Sequence, residues 1–345
     1  MQRALLAFLV CPYDREASLD LAASSPPTDD GEISEGTLVC SACARCYPIL
    51  DTIVCVLPDD LRDVAREIAT FTSQSAGETY REHVRRWKGD DFAALTEFES
   101  NEARQKVSEM RKRDEEAPDY HSFVEDFRAR IEPERVASRS RVQPGDVVLD
   151  LGAGIGRMVT TYQGRCRLAI ASDFSFESLQ VLRRLHSAAG QVPHLLQADA
   201  SHLPLRDEAF DVVLCISMIQ HVPTERARQM AIHEMARVLR PFGRIVLLTH
   251  NYNLSRRLGL HNTGAAGKEG CQSDGKIYYL TFTVQELGRL MSERFRLDEM
   301  CGIVSYWPFV RRIPFPVRRG LDRMLERRPI SRFTGESLLA VGHKR

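Results

Sequence analysis

A glycine-rich loop near the middle of the chain constrains the fold more than any other feature of the sequence. The loop reads Asp150-Leu-Gly-Ala-Gly-Ile-Gly-Arg157, and it overlaps the end of an apolar run that begins at Val147. Glycines let a backbone turn tightly and approach a ligand that side chains would exclude. The loop therefore marks a strand-to-helix junction at which a ligand can bind.

Short apolar runs recur after this loop, at 168–172, 194–198, 211–217 and 244–249. The segment 224–239 carries apolar residues on one helical stripe, as a covering helix should. Short strands that alternate with helices predict an α/β fold, with a Rossmann-like, doubly wound and mainly parallel sheet. The final runs, near 296–304 and 337–342, can close this sheet as an antiparallel pair.

The composition of the sequence changes along its 345 residues and divides the chain into three regions. A chain of this length suits a small module beside a larger domain. We predict a cysteine-rich module over 1–58, a helical linker or lid over 59–141 and the α/β domain over 142–345. The run 101–116 mixes both charge signs, which is typical of a solvated helix face. Alternatively, the aromatic-bearing segments 71–87 and 120–131 form helices over the active site.

Charge and cysteine usage narrow the functional class. Basic and acidic residues balance at 47 each, so net charge gives no argument for nucleic acid, membrane or acidic substrates. No apolar run approaches the roughly 18 residues of a membrane span, and the opening apolar stretch is too short for a signal peptide. Nine cysteines, concentrated near the start, indicate a metal cluster plus core thiols. We therefore expect a cytoplasmic protein in a reducing compartment.

Spacing distinguishes this glycine loop from a dinucleotide site, which uses Gly-x-Gly-x-x-Gly. Here the glycines alternate at 152, 154 and 156, and Asp173 follows at the end of the next strand, where it can accept both hydrogen bonds of a ribose diol. On these residues the chain resembles the class I S-adenosylmethionine-dependent methyltransferases. The runs Gln197-Ala-Asp-Ala200 and Arg237-Val-Leu-Arg-Pro-Phe-Gly-Arg-Ile245 are similar to the ubiquinone and menaquinone type, although Phe242 stands where that family usually has glycine.

The resemblance implies S-adenosylmethionine as cofactor and assigns its contacts. The glycines would line its methionine and ribose moieties, Asp173 would hold the ribose hydroxyls, and Asp199 with Ala200 would meet the adenine edge. The complete implied set is Asp150, Gly152, Gly154, Gly156, Asp173, Phe174, Asp199, Ala200 and Cys215. The implied activity is in-line transfer of a methyl group to a small molecule or a lipid-like biosynthetic precursor.

His221 is the candidate catalytic base. It falls just past the fourth strand, at the carboxyl edge where acceptors sit in such folds, and an oxygen acceptor benefits from a base. The alternative is that this histidine caps the following helix or packs the pocket wall.

The cysteines near the start are laid out like two zinc knuckles, Cys11-Pro-Tyr-Asp14 and Cys40-Ser-Ala-Cys-Ala-Arg-Cys46. This region resembles the small zinc-ribbon proteins that activate tRNA, rRNA and protein methyltransferases as separate subunits, here fused in cis. Asp14 stands in place of the second cysteine of that pattern. We predict structural zinc on Cys11, Asp14, Cys40 and Cys43, with Cys46 as a substitute ligand; a metal-free relic fold is the alternative.

The sequence leaves the acceptor open. The stretch 216–226 resembles wobble-uridine methyltransferases, so a tRNA methyltransferase with a built-in activator is one alternative function; a non-catalytic, cofactor-sensing scaffold is another. The basic run 310–328 carries Val317, Leu321, Met324 and Leu325 at helical spacing. It fits a solvated helix over the core, a peripheral contact with an anionic membrane, or RNA binding.

Overall fold

The structure, a computed structural model, describes residues 1–28, 31–89, 101–119, 126–188, 190, 192–260, 267–272, 275–305 and 313–345, without the side chains of residues 23, 24 and 126. The strands are β1 (Leu19–Ser24), β2 (Gly36–Cys40), β3 (Cys46–Leu50), β4 (Ile53–Cys55), β5 (Val147–Leu151), β6 (Leu168–Asp173), β7 (His194–Gln197), β8 (Phe210–Ile216), β9 (Leu239–His250), β10 (Glu269–Gln272), β11 (Ile277–Leu280), β12 (Phe295–Ser305) and β13 (Gly335–Lys344). The α-helices are α1 (Val64–Thr70), α2 (Gln74–Lys88), α3 (Asn101–Glu116), α4 (Asp126–Ser140), α5 (Val159–Tyr162), α6 (Phe176–Ser187), α7 (Glu225–Val238), α8 (Leu254–Arg257), α9 (Val284–Ser292), α10 (Phe315–Glu326) and α11 (Ser331–Thr334).

Eleven of the described strands form one sheet in the order β1-β2-β3-β4-β7-β6-β5-β8-β9-β13-β12. The central run from β4 to β9 is parallel. Strands β5 and β8 are buried at every position, as expected for strands covered on both faces. The strand order reverses at β5, so the crevice at the carboxyl ends of β5 and β8 is the topological switch point, where open α/β sheets bind ligands.

Strands β13 and β12 complete one edge of the sheet, each antiparallel to its neighbour. This is the antiparallel closure expected from the apolar runs near the end of the sequence. Together with the parallel centre, it confirms the predicted Rossmann-like fold class.

At the other edge, the cysteine-rich region extends the same sheet. Its strand β4 pairs in parallel with β7, through Val54 opposite Leu196 and Cys55 opposite Gln197. Leu9 forms a further bridge with Leu205. Apolar side chains from both regions belong to one buried cluster. The first 58 residues are therefore packed as a continuation of the α/β sheet.

The helices between these two regions have separate roles. Helix α2 packs on β2 and β3, whereas α3 lies against α6 and the 3-10 turn Asp59–Leu61. Helix α3 has the solvated face expected for residues 101–116, but its other face is covered, because Ala103, Val107 and Met110 are buried there. Of the predicted helix 120–131, residues 120–125 lie outside the described residues, and α4 accounts for the remainder.

No helix within the described ranges combines the length and the apolar character that crossing a membrane requires.

Because the two regions share a core, a cavity made in one should destabilise both. We expect Ile49→Ala, in β3, to lower the free energy of unfolding of the whole chain by about 2–5 kcal/mol. Urea unfolding followed by circular dichroism and by tryptophan fluorescence should shift in one common transition. The matched control, Leu185→Ala, truncates a side chain that is 48% exposed and should change little. Two separate transitions, of which only one moves, would contradict the shared core.

Candidate functional site

A cavity that is partly open to solvent lies at the carboxyl ends of β5, β6 and β8. The glycine loop forms one wall, and α3 contributes another through Lys106, Glu109 and Arg113. Open α/β sheets bind their ligands in the crevice outside the carboxyl ends of the strands. The cavity therefore lies where a ligand of such a sheet would bind, at its switch point.

The three predicted loop glycines all have positive φ, and each meets different surroundings. A Cβ at Gly152 would lie 2.4 Å from the Cβ of Met218, and one at Gly156 would lie 2.7 Å from the Cγ of Leu182. A Cβ at Gly154 would meet nothing within 4 Å. Two of the glycines thus permit close packing, while Gly154 presents bare backbone to the cavity.

Two predicted acids, Asp150 and Asp173, lie next to this loop. Asp150 is 1% exposed and accepts a hydrogen bond of 3.0 Å from the hydroxyl of Tyr162. Asp173 accepts from the backbone N–H of Gly154 (2.8 Å) and from that of Ser175 (2.9 Å). Burial raises the pKa of Asp150 to about 7 and also raises the pKa of Asp173. Each carboxylate oxygen of Asp173 can accept a second bond, as holding a diol requires.

Asp199, a further predicted acid that lines the cavity, is held in place by hydrogen bonds from its neighbours. Its carboxylate accepts from the ammonium of Lys106 (2.7 Å) and from the hydroxyl of Ser201 (2.8 Å). Burial opposes ionisation, but the hydrogen bond with His202 and the charge of Lys106 outweigh it and hold the pKa of Asp199 well below its usual range. Phe174 and Ala200 line the cavity nearby.

Two predicted cofactor residues, Gly156 and Cys215, do not line this cavity, and Cys215 lies in the sheet itself. The side chain of Cys215 is fully buried in the core of the sheet. In β8, the cavity is lined by Ile216, the last residue of the strand. Burial raises the pKa of its thiol to about 12. Cys215 is therefore a core thiol.

Sequence reasoning missed the contribution of α3. Glu109 is 3% exposed and accepts a hydrogen bond of 3.4 Å from Arg113. Burial raises the pKa of Glu109 to about 7, against the opposing charge of Arg113. The signal was present in the sequence, because Ala103, Val107 and Met110 mark a buried stripe at helical spacing beside these charged residues.

His221 lines the cavity, and its protonation state follows from its contacts. Its Nδ1 lies 2.7 Å from the carbonyl oxygen of Tyr278, which can only accept, so Nδ1 carries the hydrogen. Burial, reinforced by the charge of Arg113, holds the pKa of His221 well below its usual range. The imidazole is therefore neutral with its lone pair on Nε2, 3.3 Å from the amide nitrogen of Gln220.

The cysteine-rich region brings three of its predicted ligands together. The sulfurs of Cys11, Cys40 and Cys43 all lie within 4.8 Å of one another, and those of Cys11 and Cys43 are 3.7 Å apart. Tetrahedral zinc with Zn–S bonds of about 2.3 Å places its sulfurs about 3.8 Å apart. The three thiols therefore fit a zinc ion.

The other two predicted ligands, Asp14 and Cys46, lie outside this group of three. Successive side chains of a strand point to opposite faces. Tyr47 approaches the sulfur of Cys11, so its neighbour Cys46 faces away and packs against Val64 and Tyr80. Cys46 is therefore a core thiol rather than a substitute ligand.

Comparison with known proteins agrees with this geometry. Residues 149–247 match the family described as a methyltransferase domain, and residues 2–51 match the family described as Trm112p-like protein. The chain joins a Trm112p-like domain to a methyltransferase domain. The two family resemblances expected from the sequence are thereby confirmed.

Relatives with curated names are similar over the methyltransferase domain. The ubiquinone biosynthesis O-methyltransferase of Klebsiella pneumoniae is 33% identical over 129 residues, which are 36% of this chain and 52% of that protein. The demethylmenaquinone methyltransferase of Clavibacter sepedonicus is 36% identical over 115 residues, 33% of this chain and 45% of that protein. The chain thus spans about half the length of the curated relatives it matches.

Among solved structures, the 1,6-didemethyltoxoflavin-N1-methyltransferase of Burkholderia thailandensis, with bound 1,6-didemethyltoxoflavin and S-adenosylhomocysteine, is 17% identical with a TM-score of 0.49. The match covers 71% of this chain and 91% of that chain.

Proposed function

We propose that this protein is an S-adenosylmethionine-dependent methyltransferase acting on a small molecule or a lipid-like precursor of the quinone-biosynthetic type. The observation that carries the cofactor assignment is the charge of the cavity. Five carboxylic residues line it against three basic ones, Lys106, Arg113 and Arg157. Each of these bases already faces a carboxylate, respectively that of Asp199, Glu109 and Glu132.

Such a cavity favours a ligand with net positive charge. S-adenosylmethionine carries a sulfonium and an ammonium against one carboxylate, whereas a dinucleotide would bring the negative charges of a pyrophosphate. Burial has raised the pKa values of Asp150 and Asp173, and also that of Glu109 in spite of its pairing with Arg113, so the ionised forms of these acids are not fully compensated. A bound cation would supply that compensation.

The residues around the loop suit the chemistry of this cofactor. Gly154 leaves space for close approach, Asp173 has acceptor capacity for the ribose hydroxyls, and Phe174 and Ala200 offer apolar wall beside Asp199. When bound, the cofactor supplies a methyl group already activated on sulfur, so the protein mainly has to align donor and acceptor and exclude water.

His221 supplies a proton acceptor for a hydroxyl substrate. Its Nδ1–H bond to the carbonyl of Tyr278 fixes the ring, and its depressed pKa keeps Nε2 unprotonated at neutral pH. As the acceptor oxygen takes the methyl group, its proton passes to Nε2, which gives up its contact with the amide of Gln220 to receive it. Arg113 contributes to keeping the imidazole neutral, because its positive charge opposes a second one nearby.

The class of acceptor is tested by incubating the purified chain with host lysate and methyl-labelled S-adenosylmethionine. We expect label in the organic-extractable or small-molecule fraction, in line with the curated relatives. Asp173→Asn should abolish most of it, since charge-assisted hydrogen bonds are worth about 1.5–3 kcal/mol each and calorimetry should show at least about tenfold weaker cofactor binding. Asp207→Asn, in which the replaced side chain is 68% exposed, is the control and should retain both.

The other outcomes of this experiment are equally informative. Label in RNA would replace the small-molecule acceptor with tRNA, the candidate that the Trm112p-like match favours. Cofactor binding without transfer to any fraction would instead indicate a cofactor-sensing scaffold. Undiminished cofactor affinity in Asp173→Asn would contradict the assigned site.

Cofactor affinity should rise as the pH increases from about 6 to 8. Glu109 and Asp150 have pKa values of about 7, and a cationic ligand binds their ionised forms. Binding must therefore lower these pKa values and release protons near neutral pH. Calorimetry in buffers of different ionisation enthalpy measures this release, and Glu109→Gln should reduce it. Net proton uptake would contradict a cationic ligand beside these two acids.

We further propose that Cys11, Cys40 and Cys43 hold a structural zinc ion, with Asp14 as the fourth ligand. The sulfur of Cys40 accepts backbone N–H bonds of 3.4 Å from Ala42 and from Cys43, an arrangement that suits a thiolate. Asp14 follows Cys11 in the same short loop, and zinc accepts carboxylate as well as thiolate.

Elemental analysis of protein purified without chelator should find about one zinc per chain. Cys40→Ser should lose this zinc and destabilise the domain, because binding of a structural metal contributes folding energy. The matched control is Cys166→Ser, at a partly buried thiol outside the three-sulfur group. A wild-type chain with well under one zinc would favour a metal-free fold.

A further inference from the structure

The exposed large apolar side chains of the described structure gather near the end of the chain. Of eleven such side chains, eight fall in the segments 254–260 and 313–334. We call these eight the C-terminal apolar patch: Leu254, Leu258, Leu260, Val317, Leu321, Met324, Ile330 and Phe333. The patch extends well beyond the basic run singled out in the sequence, of which residues 310–312 lie outside the described residues.

Helix α10 presents its apolar side to solvent because its charged side is buried. Arg318, Asp322 and Glu326 face inward. Glu326 pairs with Arg135 of α4 at 2.5 Å, and Asp322 accepts a backbone bond of 2.7 Å from Ser305. A solvated covering helix would be oriented the other way, with Val317, Leu321 and Met324 on the core.

The elements that carry the patch are bound to one another. The side-chain amide of Asn251 donates to the carbonyl of Arg332 (2.9 Å), which joins the segment between β9 and α8 to α11. The hydroxyl of Ser331 donates to the carbonyl of Glu326 (3.4 Å), which joins α11 to α10. Since α8 follows the carboxyl end of β9, the patch is built on the edge of the sheet that also carries the cavity.

The exposed charges within the two segments of the patch are of one sign. Both acids of these segments, Asp322 and Glu326, are buried, and every exposed charged residue in the segments is an arginine. These residues are Arg257, Arg319, Arg323, Arg327, Arg328 and Arg332. Arg319 also bonds Glu134 of α4 at 2.8 Å. An apolar surface framed by arginines is complementary to the headgroup and acyl boundary of an anionic bilayer.

Other occupants suit this surface less well. A second copy of the chain, seated face to face, would oppose arginines with arginines, which like-charge repulsion disfavours. RNA would satisfy the arginines but would leave the aliphatic side chains against a polar backbone, whereas acyl chains receive them.

We propose that the C-terminal apolar patch docks the protein peripherally on an anionic lipid bilayer. Docking would bring the cavity close to an acceptor held in the membrane. Two contacts connect the patch to the cavity through α4. Phe315 of α10 packs on Phe127 of α4 with ring centroids 5.6 Å apart. The next residue of α4, Arg128, donates to the hydroxyl of Ser217 in the cavity wall. Docking is independent of the chemistry; only delivery of a membrane-held acceptor rests on the proposed function.

The test is co-flotation of the full chain with phosphatidylcholine vesicles, with and without phosphatidylglycerol. We expect binding to the anionic vesicles only, weakening as salt is raised. Leu321→Glu and Met324→Glu, singly, should each lower the bound fraction at least about tenfold, because they remove apolar contact and add a repelled charge. Leu185→Glu, at an exposed leucine on α6, should float like the wild type.

Two measurements keep this proposal separate from the methyltransferase function. Calorimetric binding of S-adenosylmethionine by each variant verifies that it is folded. A wild-type chain that binds the cofactor but floats with neither vesicle overturns docking alone, and a chain that floats but transfers no methyl group overturns the function alone. Dimerisation of the wild type that Leu321→Glu abolishes, or RNA binding lost in the same variant, would assign the patch to a second copy or to RNA and overturn the bilayer.

Discussion

The parallel pairing of β4 with β7 is the contact on which the arrangement of the site depends. Without it, β7 would be an edge strand with open backbone groups, which natural sheets protect. The pairing also sets where the chain leaves β4, and so brings Leu57 and Leu61 beside the carboxyl edge of the sheet. Helix α3 packs on these two leucines and closes one wall of the cavity. The Trm112p-like domain therefore helps to build the site through ordinary hydrophobic packing.

The cavity combines buried acids with bases that are already paired. Lys106 of α3 pairs with Asp199, which follows β7, so an ion pair in the wall of the cavity joins the helix to the sheet. For Asp150, Asp173 and Glu109, burial outweighs the neighbouring charges, including that of Arg113 beside Glu109, and raises their pKa values. This imbalance is a property of the assembled site, because its acids come from α3, β5 and β6.

Helix α4 connects the cavity to the C-terminal helices. Its buried Glu132 binds Arg157 of the glycine loop, while Arg135 and Arg139 pair with Glu326 of α10. A buried arginine that lost its carboxylate would remain an uncompensated charge, a costly outcome. The pairing therefore turns the charged side of α10 inward and leaves its apolar side on the surface. Ion pairing between α4 and α10 in the interior has thus determined which side chains of α10 are exposed.

The sequence by itself determined the features that arise from neighbours along the chain. Alternating apolar runs predicted the strands, including the antiparallel closure by β12 and β13, and the spacing of three glycines and Asp173 located the cavity. Cysteine spacing likewise indicated the cluster of Cys11, Cys40 and Cys43. These patterns are readable because strand periodicity, tight turns and metal knuckles are local.

Only the tertiary structure decided which way the ambiguous residues face. Cys46 and Cys215 pack in the core, Glu109 of α3 lines the cavity, and α10 has its apolar side exposed. The tautomer of His221 follows from the carbonyl of Tyr278, 57 residues away along the chain. In each case the deciding partner is remote in sequence, and the free energy of burying or pairing a group depends on that partner rather than on local periodicity.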